Sequence, residues 1–236
     1  MLALEDPIII FSAEAPVEIH GGEGGSGPLF WKRLVGGVDL QGDWEGFEYA
    51  RVAAGGVIGE HVHERTEEFY YVTSGHAVMY LDDVPHDVGP GDLILTPIDG
   101  KHSAKASADE DFEFIVAEVL PPQILNPSLK ETQHFERRPC VVVNMNAEKV
   151  IDPTRYFDGP WESLEVRNLK AKDRTELSGQ GREHAFYVLA GGGTAQSGKR
   201  TIELPAGHGL AVPKGGHVTI QAGPDGLDML LMTVRL

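Results

Sequence analysis

Apolar residues fall along this chain in short runs separated by turn residues, and none of the runs has the length or the period of a long helix. Residues 47–54, 69–73, 77–81, 92–96 and 112–120 are each of strand length. They recur about every ten residues, the spacing of a β-sandwich or barrel. Ahead of them, Ile8-Ile9-Ile10-Phe11 follows Pro7 as a further β-type run, and 21–27 is rich enough in glycine to predict a flexible loop. Pro121-Pro122 interrupts the series. From there to about Arg138 the chain reads as a linker with room for a helical turn over 128–133. This divides the chain into an N-terminal unit, 1–122, and a C-terminal unit, 123–236, that includes the linker.

Sliding the second half over the first at an offset of 116 residues places Gly75 on Gly191, Gly91 on Gly207 and Pro97 on Pro213. Between these turn residues, Glu67, Tyr71 and Val72 fall on Glu183, Tyr187 and Val188. One offset that aligns both turns and a strand implies the same β domain twice. Composition agrees: with Gly 29 and Pro 15, the two make up about 19% of the chain against an ordinary 12% or so.

Charge narrows the partners. A formal net charge of −16, spread over the whole chain, repels nucleic acid and anionic membranes. No apolar run approaches the roughly 18 residues of a membrane span. The opening, Met1-Leu2-Ala3-Leu4-Glu5-Asp6, lacks the positive charge of a signal peptide, so a cytoplasmic location is expected. Cys140 is the only cysteine, which excludes an intrachain disulfide and a cysteine-rich zinc module. Any metal must be held by histidines and carboxylates.

Such a set is present. The first half reads Gly55-x5-His61-x-His63-x4-Glu68-x6-Gly75, then Gly91-x5-Pro97-x4-His102. On a strand, His61 and His63 point to one face; Glu68 opens the next strand and His102 arrives from a later one. Three imidazoles and one carboxylate suit Fe, Mn, Ni, Zn or Cu(II) and leave coordination positions open. Glu67 competes with Glu68, but parity counted from Gly75 favours Glu68 and sets Glu67 toward solvent. The same parity turns Tyr70 and Val72 inward, and Phe69 and Tyr71 outward toward an interface that a second chain could cover. Met79, Leu95 and Phe114, with Leu81, Leu93, Phe112 and Val116, are the expected apolar lining of a pocket. An inward Arg51 would clamp a carboxylate, a surface salt bridge being its ordinary alternative. Lys101 and Lys105 share that ambiguity, and His20, His76, His86 and His134 read as surface residues.

These residues resemble the cupin superfamily, whose motifs have the forms G-x5-H-x-H-x3/4-E-x6-G and G-x5-P-x-G-x2-H-x3-N. The first matches throughout; in the second, Asp99 stands at the glycine and Ala106 at the final asparagine. The resemblance covers about 47–120 strongly and 165–235 weakly. It implies an all-β bicupin of two tandem conical antiparallel jelly-roll barrels, with His61, His63, Glu68 and His102 projecting into the first as metal ligands. In the second copy Leu177 and Gly179 occupy the two histidine positions, His184 the glutamate position and Val218 the last, with His217 one residue short. A one-residue slip turns a side chain to the other face, so the C-terminal barrel is expected to be structural, with His184, His208 and His217 as an alternative ligand set.

The resemblance points first to a quercetin dioxygenase-like oxygenase. It would act on a small organic substrate that chelates one divalent metal per chain, Fe(II) ahead of Mn, Ni, Zn or Cu, with O2 as co-substrate. Glu68 or Tyr70 would move the proton, and Arg51, Tyr70, Met79, Leu95 and Phe114 would surround the substrate. The alternatives are a Lewis-acid isomerase, lyase or decarboxylase, and a non-catalytic small-molecule-binding bicupin. A homodimer is expected, as is a lid formed by 21–27.

Overall fold

The computed structural model describes residues 7–236, so the opening read above for targeting lies outside the described residues. Nearly every run singled out by pattern is a strand. Ala77–Leu81 and Asp92–Thr96 agree with expectation to the residue, and 47–54 and 112–120 correspond to Trp44–Val52 and Phe112–Val119. The predicted turn in the linker is a short helix, Leu129–Thr132.

The strands form two antiparallel barrels. In the first, a four-stranded sheet in the order Val57–Val62, Lys101–Ala106, Ala77–Leu81, Val84–Val88 faces a seven-stranded sheet. The centre of the larger sheet is Asp92–Thr96, Glu67–Ser74, Phe112–Val119 and Trp44–Val52. The second barrel is one eight-stranded sheet folded on itself, because Arg182–Ser197 and His217–Arg235 run through both of its faces. The bends are set by glycine. Gly75 and Gly191 have φ of 71° and 68°, and a Cβ on either would collide with a carbonyl oxygen, of Asp111 and of Gly226 respectively. The 116-residue offset is also a register: His102 pairs with His61, and 116 residues on Val218 pairs with Leu177.

Each barrel borrows a strand. Ile9–Ser12 joins the C-terminal sheet, Ile9 opposite Ala211, and Val141–Asn144 joins the N-terminal sheet, Val141 opposite Leu95. The hydrogen-bonded sheets thus cross the expected division at 122 in both directions.

Between the barrels lies a continuous apolar core in which Phe47, Phe69, Tyr71 and Leu95 meet Trp161, Leu164, Met232 and Val234. Phe69 and Tyr71 do face outward from their barrel, but the C-terminal barrel covers them, and they are not available to a second chain. Glu67 corrects the expectation more sharply. It is 1% exposed and accepts hydrogen bonds from Asp158 N (2.5 Å), Gly159 N (2.9 Å) and Trp161 Nε1 (2.8 Å). Its repeat partner Glu183 mirrors it, accepting from Gln41 N (3.0 Å), Gly42 N (2.9 Å) and Trp44 Nε1 (3.2 Å). Each barrel thus sends one buried carboxylate to satisfy two amides and an indole of the other. Among the described residues no helix is long and apolar enough to cross a membrane.

Candidate metal centre

Three neighbouring strand segments bring the motif residues together at the mouth of the N-terminal barrel. His61 and His63 come from the strand Val57–Val62 and the turn after it, Glu68 from Glu67–Ser74 and His102 from Lys101–Ala106. Asp99, at the glycine position of the second motif, holds the expected left-handed turn with φ of 62°, a conformation aspartate tolerates. Its N–H donates to His63 O at 2.9 Å. The departure in sequence therefore leaves the turn in place.

His102 Nε2 lies 2.9 Å from His61 Nε2 and 3.2 Å from His63 Nε2, and Glu68 Oε1 is 3.4 Å from the Nε2 atoms of His63 and His102. The other ring nitrogens are tied back. His61 Nδ1 donates to Gly59 O (3.0 Å), while His102 Nδ1 and His63 Nδ1 meet the hydroxyls of Thr96 (3.1 Å) and Thr66 (3.4 Å). A carbonyl only accepts, so the proton of His61 sits on Nδ1 and its Nε2 lone pair faces the centre. Three imidazole Nε2 atoms thus crowd together beside Glu68 Oε1, which is buried without a hydrogen-bond partner.

A cation fits this arrangement. Metal–nitrogen bonds of about 2.1 Å put cis-octahedral donors about 3.0 Å apart and tetrahedral ones about 3.4 Å apart. The two observed nitrogen separations fall on either side of the octahedral value. Electrostatics agree: burial and the neighbouring His61 hold His63 down at about 4, and burial with His63 and His61 holds His102 well below the ordinary range. Both rings are therefore neutral donors. Burial, then Glu118, Glu48 and Glu23, pushes Glu68 well above the usual carboxylate range, the shift a bound cation reverses.

The centre opens into a cavity of 820 Å³, within the size range of small-molecule sites. Tyr70 and Phe114 line it as expected, their rings stacked 4.3 Å apart with Tyr70 5.0 Å from the His102 ring. Gly21, Gly22 and Glu23 of the glycine-rich loop form part of the wall. This loop is tied down where Ser26 exchanges two backbone hydrogen bonds with Val57.

The other expected substrate residues lie off the cavity. Ala50 and Val52 face inward, so Arg51 faces outward, ion-paired with Asp111 and 3.9 Å over the Phe30 ring. Thr96 and Ile94 face inward, so Leu95 belongs to the inter-barrel core with Leu93. Met79 is inside the barrel but wholly buried in its apolar packing. Conversely, Thr66, Thr96, Glu48 and Glu118 were not singled out by sequence. Glu118 lies opposite Glu68 in register and shares parity with Phe114 and Val116, which already read as inward. The C-terminal histidines do not gather: His184 spends both nitrogens on Thr233 and Ser178, His208 is bonded to Ala206 O, and His217 lies nearest Glu176.

The chain resembles known proteins in part of its sequence and in its fold. Residues 48–118 match the cupin domain family. Protein SchB of Streptomyces halstedii is 39% identical over 66 residues, 28% of this chain, and the match spans about half (48%) of that relative's length. Among solved structures, the Escherichia coli pirin YhhW in complex with nickel(II) aligns over 97% of this chain and 99% of its own, with a TM-score of 0.72 at 15% identity. Salicylate 1,2-dioxygenase of Pseudoaminobacter salicylatoxidans, solved with gentisate, aligns over 99% and 83%, with a TM-score of 0.67 at 14% identity. Identities this low carry the fold. Residues 48–118 thus match the cupin domain family, and the two barrels together have the tandem-barrel fold of a bicupin.

Proposed function

We propose that the chain is a metal-dependent cupin enzyme, an oxygenase in which His61, His63, His102 and Glu68 hold one divalent transition-metal ion, Fe(II) being the ion the reading favours. The observation that carries it is the gathering of three imidazole Nε2 atoms, two of them 3.4 Å from a buried carboxylate oxygen that has no hydrogen-bond partner. Bound there, the metal supplies Lewis acidity and, when redox-active, the electrons that activate dioxygen. Thr96, Thr66 and Gly59 O hold the Nδ1 sides of the rings so that each Nε2 faces inward before any ion arrives. Tyr70, held well above its ordinary range by burial and then by Glu68, keeps its phenolic proton and presents a donor to a substrate oxygen. The stacked faces of Tyr70 and Phe114 suit an unsaturated or aromatic substrate that chelates the metal. The dioxygenase of like fold works on such a ring.

The test is oxygen consumption by anaerobically prepared, Fe(II)-loaded protein offered a panel of enols, catechols and flavonols. Uptake that requires both metal and substrate is expected, and it should disappear in His61→Ala. Turnover undiminished under argon replaces the oxygenase with Lewis-acid chemistry, and metal binding without any turnover leaves a small-molecule binder.

A further inference from the structure

We infer that the cavity selects substrates bearing a positively charged group beside the metal-chelating one. This specificity rests on the metal centre proposed above and adds a second subsite to it. Five carboxylates line the cavity, from Glu23, Glu48, Glu64, Glu68 and Glu118, against two guanidinium groups, Arg33 and Arg65. Both cations are already engaged. Arg33 bonds Glu48 through Nε (3.0 Å) and Nη2 (2.9 Å), and Arg65 is ion-paired with Glu45. Among the described residues Glu23, Glu64 and Glu118 form no ion pair with any Lys, Arg or His.

Glu118 is the centre of this subsite. It pairs in register with Glu68 across the strands Phe112–Val119 and Glu67–Ser74. One of its oxygens lies within 4.8 Å of both a His63 nitrogen and a Glu68 oxygen. Its polar partner is the Thr66 hydroxyl, which donates to Oε1 at 2.9 Å. Glu68, 5% exposed and with Oε1 unpartnered, points into the same space. Glu118 is half-buried in the cavity wall with no cationic partner among the described residues, a setting that an ammonium or amidinium group would relieve. With Glu68 assigned to the ion, Glu118 remains in the cavity wall without a cationic partner. A substrate carboxylate there would meet like charge, whereas a cation would find a partly desolvated partner. The net charge of −16 acts in the same direction by steering cations toward the protein.

The experiment compares two ligands that share a chelating catechol and differ in the charge of the side chain, dopamine and 3,4-dihydroxyphenylacetate. Both are titrated calorimetrically into full-length protein loaded with Zn(II), which is redox-inert toward the catechol, and zinc content is measured first. Dopamine should bind about tenfold or more tightly, a ratio equivalent to a single well-placed charge contact. Glu118→Gln should shrink that ratio at least about threefold by weakening dopamine. Equal or tighter binding of the acid, no binding of either ligand to the zinc-loaded protein, or an unchanged ratio in the variant overturns the inference and leaves the metal centre standing. A protein that takes up no zinc overturns the metal centre and this inference with it.

Discussion

The two barrels are the same scaffold with opposite interiors. Where the first has His61 opposite His102, the second has Leu177 opposite Val218, at the same register 116 residues on. Tyr70 becomes Phe186, and Glu68 becomes a histidine whose two nitrogens are already bonded. Leu177, Phe186 and Val218 belong to the closed apolar core of the C-terminal barrel, whereas His61 and Tyr70, at two of the corresponding positions of the first barrel, border a cavity. The fold therefore does not depend on a metal-ligand set. In the second barrel these positions contribute packing; in the first they hold neutral imidazoles and a carboxylate at the cost of burying polar groups.

The sharpest contrast between the barrels should come from the metal itself. At a concentration about 100 times Kd, a divalent ion adds about 2.7 kcal/mol to folding stability, roughly 5–11 °C in Tm for a chain of this size. Wild type and His184→Ala should both show that rise under added Fe(II) or Ni(II) by anaerobic scanning calorimetry, and His102→Ala should not. A rise abolished by His184→Ala would move the centre to the wrong barrel.

Core packing sharpens the contrast from the other side. Phe186→Ala removes a fully buried ring and should cost about 3–5 kcal/mol, measured by urea unfolding. Its counterpart Tyr70→Phe, at the cavity wall, should cost under about 1 kcal/mol while impairing turnover.

The carboxylates that join the barrels should cost alike when their charge is removed. Glu67→Gln and Glu183→Gln each turn an amide N–H2 toward N–H donors and should cost about 1–3 kcal/mol, read as a shift of the urea midpoint. Glu67 should also add a pH dependence, since burial pushes it up to about 7. A carboxyl that holds its proton more tightly folded than unfolded favours the folded state at low pH. That stability is full below the ordinary glutamate range and is lost as pH rises through about 7. Urea midpoints should therefore fall between pH 5 and 8, on the order of 1–3 kcal/mol, and the fall should flatten in Glu67→Gln.

Much of this was legible from sequence for identifiable reasons. Turn glycines with positive φ, such as Gly75 and Gly191, leave a fixed mark, so one offset revealed both barrels. The ligand spacing was legible because a strand's period of two and the turn after Val62 place the donors. Faces were harder. Leu93, Ile94 and Leu95 are all fully buried because this strand lies between the barrel interior and the second barrel, and an all-apolar run does not show which side faces the cavity. Arg51 sits on a strand of the same kind. The borrowed strands were hidden for another reason: Ile9 pairs with Ala211, about 200 residues away, and a four-residue apolar run carries no mark of its partner. Glu67 had one available signal, since it recurs as Glu183 in a barrel without the ligand set, which favours a structural role over a chemical one.

The most direct test of the account is metal stoichiometry by inductively coupled plasma mass spectrometry on anaerobically reconstituted wild type, His61→Ala and His184→Ala. The contrast between the barrels predicts about one equivalent of a divalent transition metal in the wild type and in His184→Ala, and little in His61→Ala. No metal in the wild type after reconstitution, or metal retained in His61→Ala and lost in His184→Ala, would contradict it.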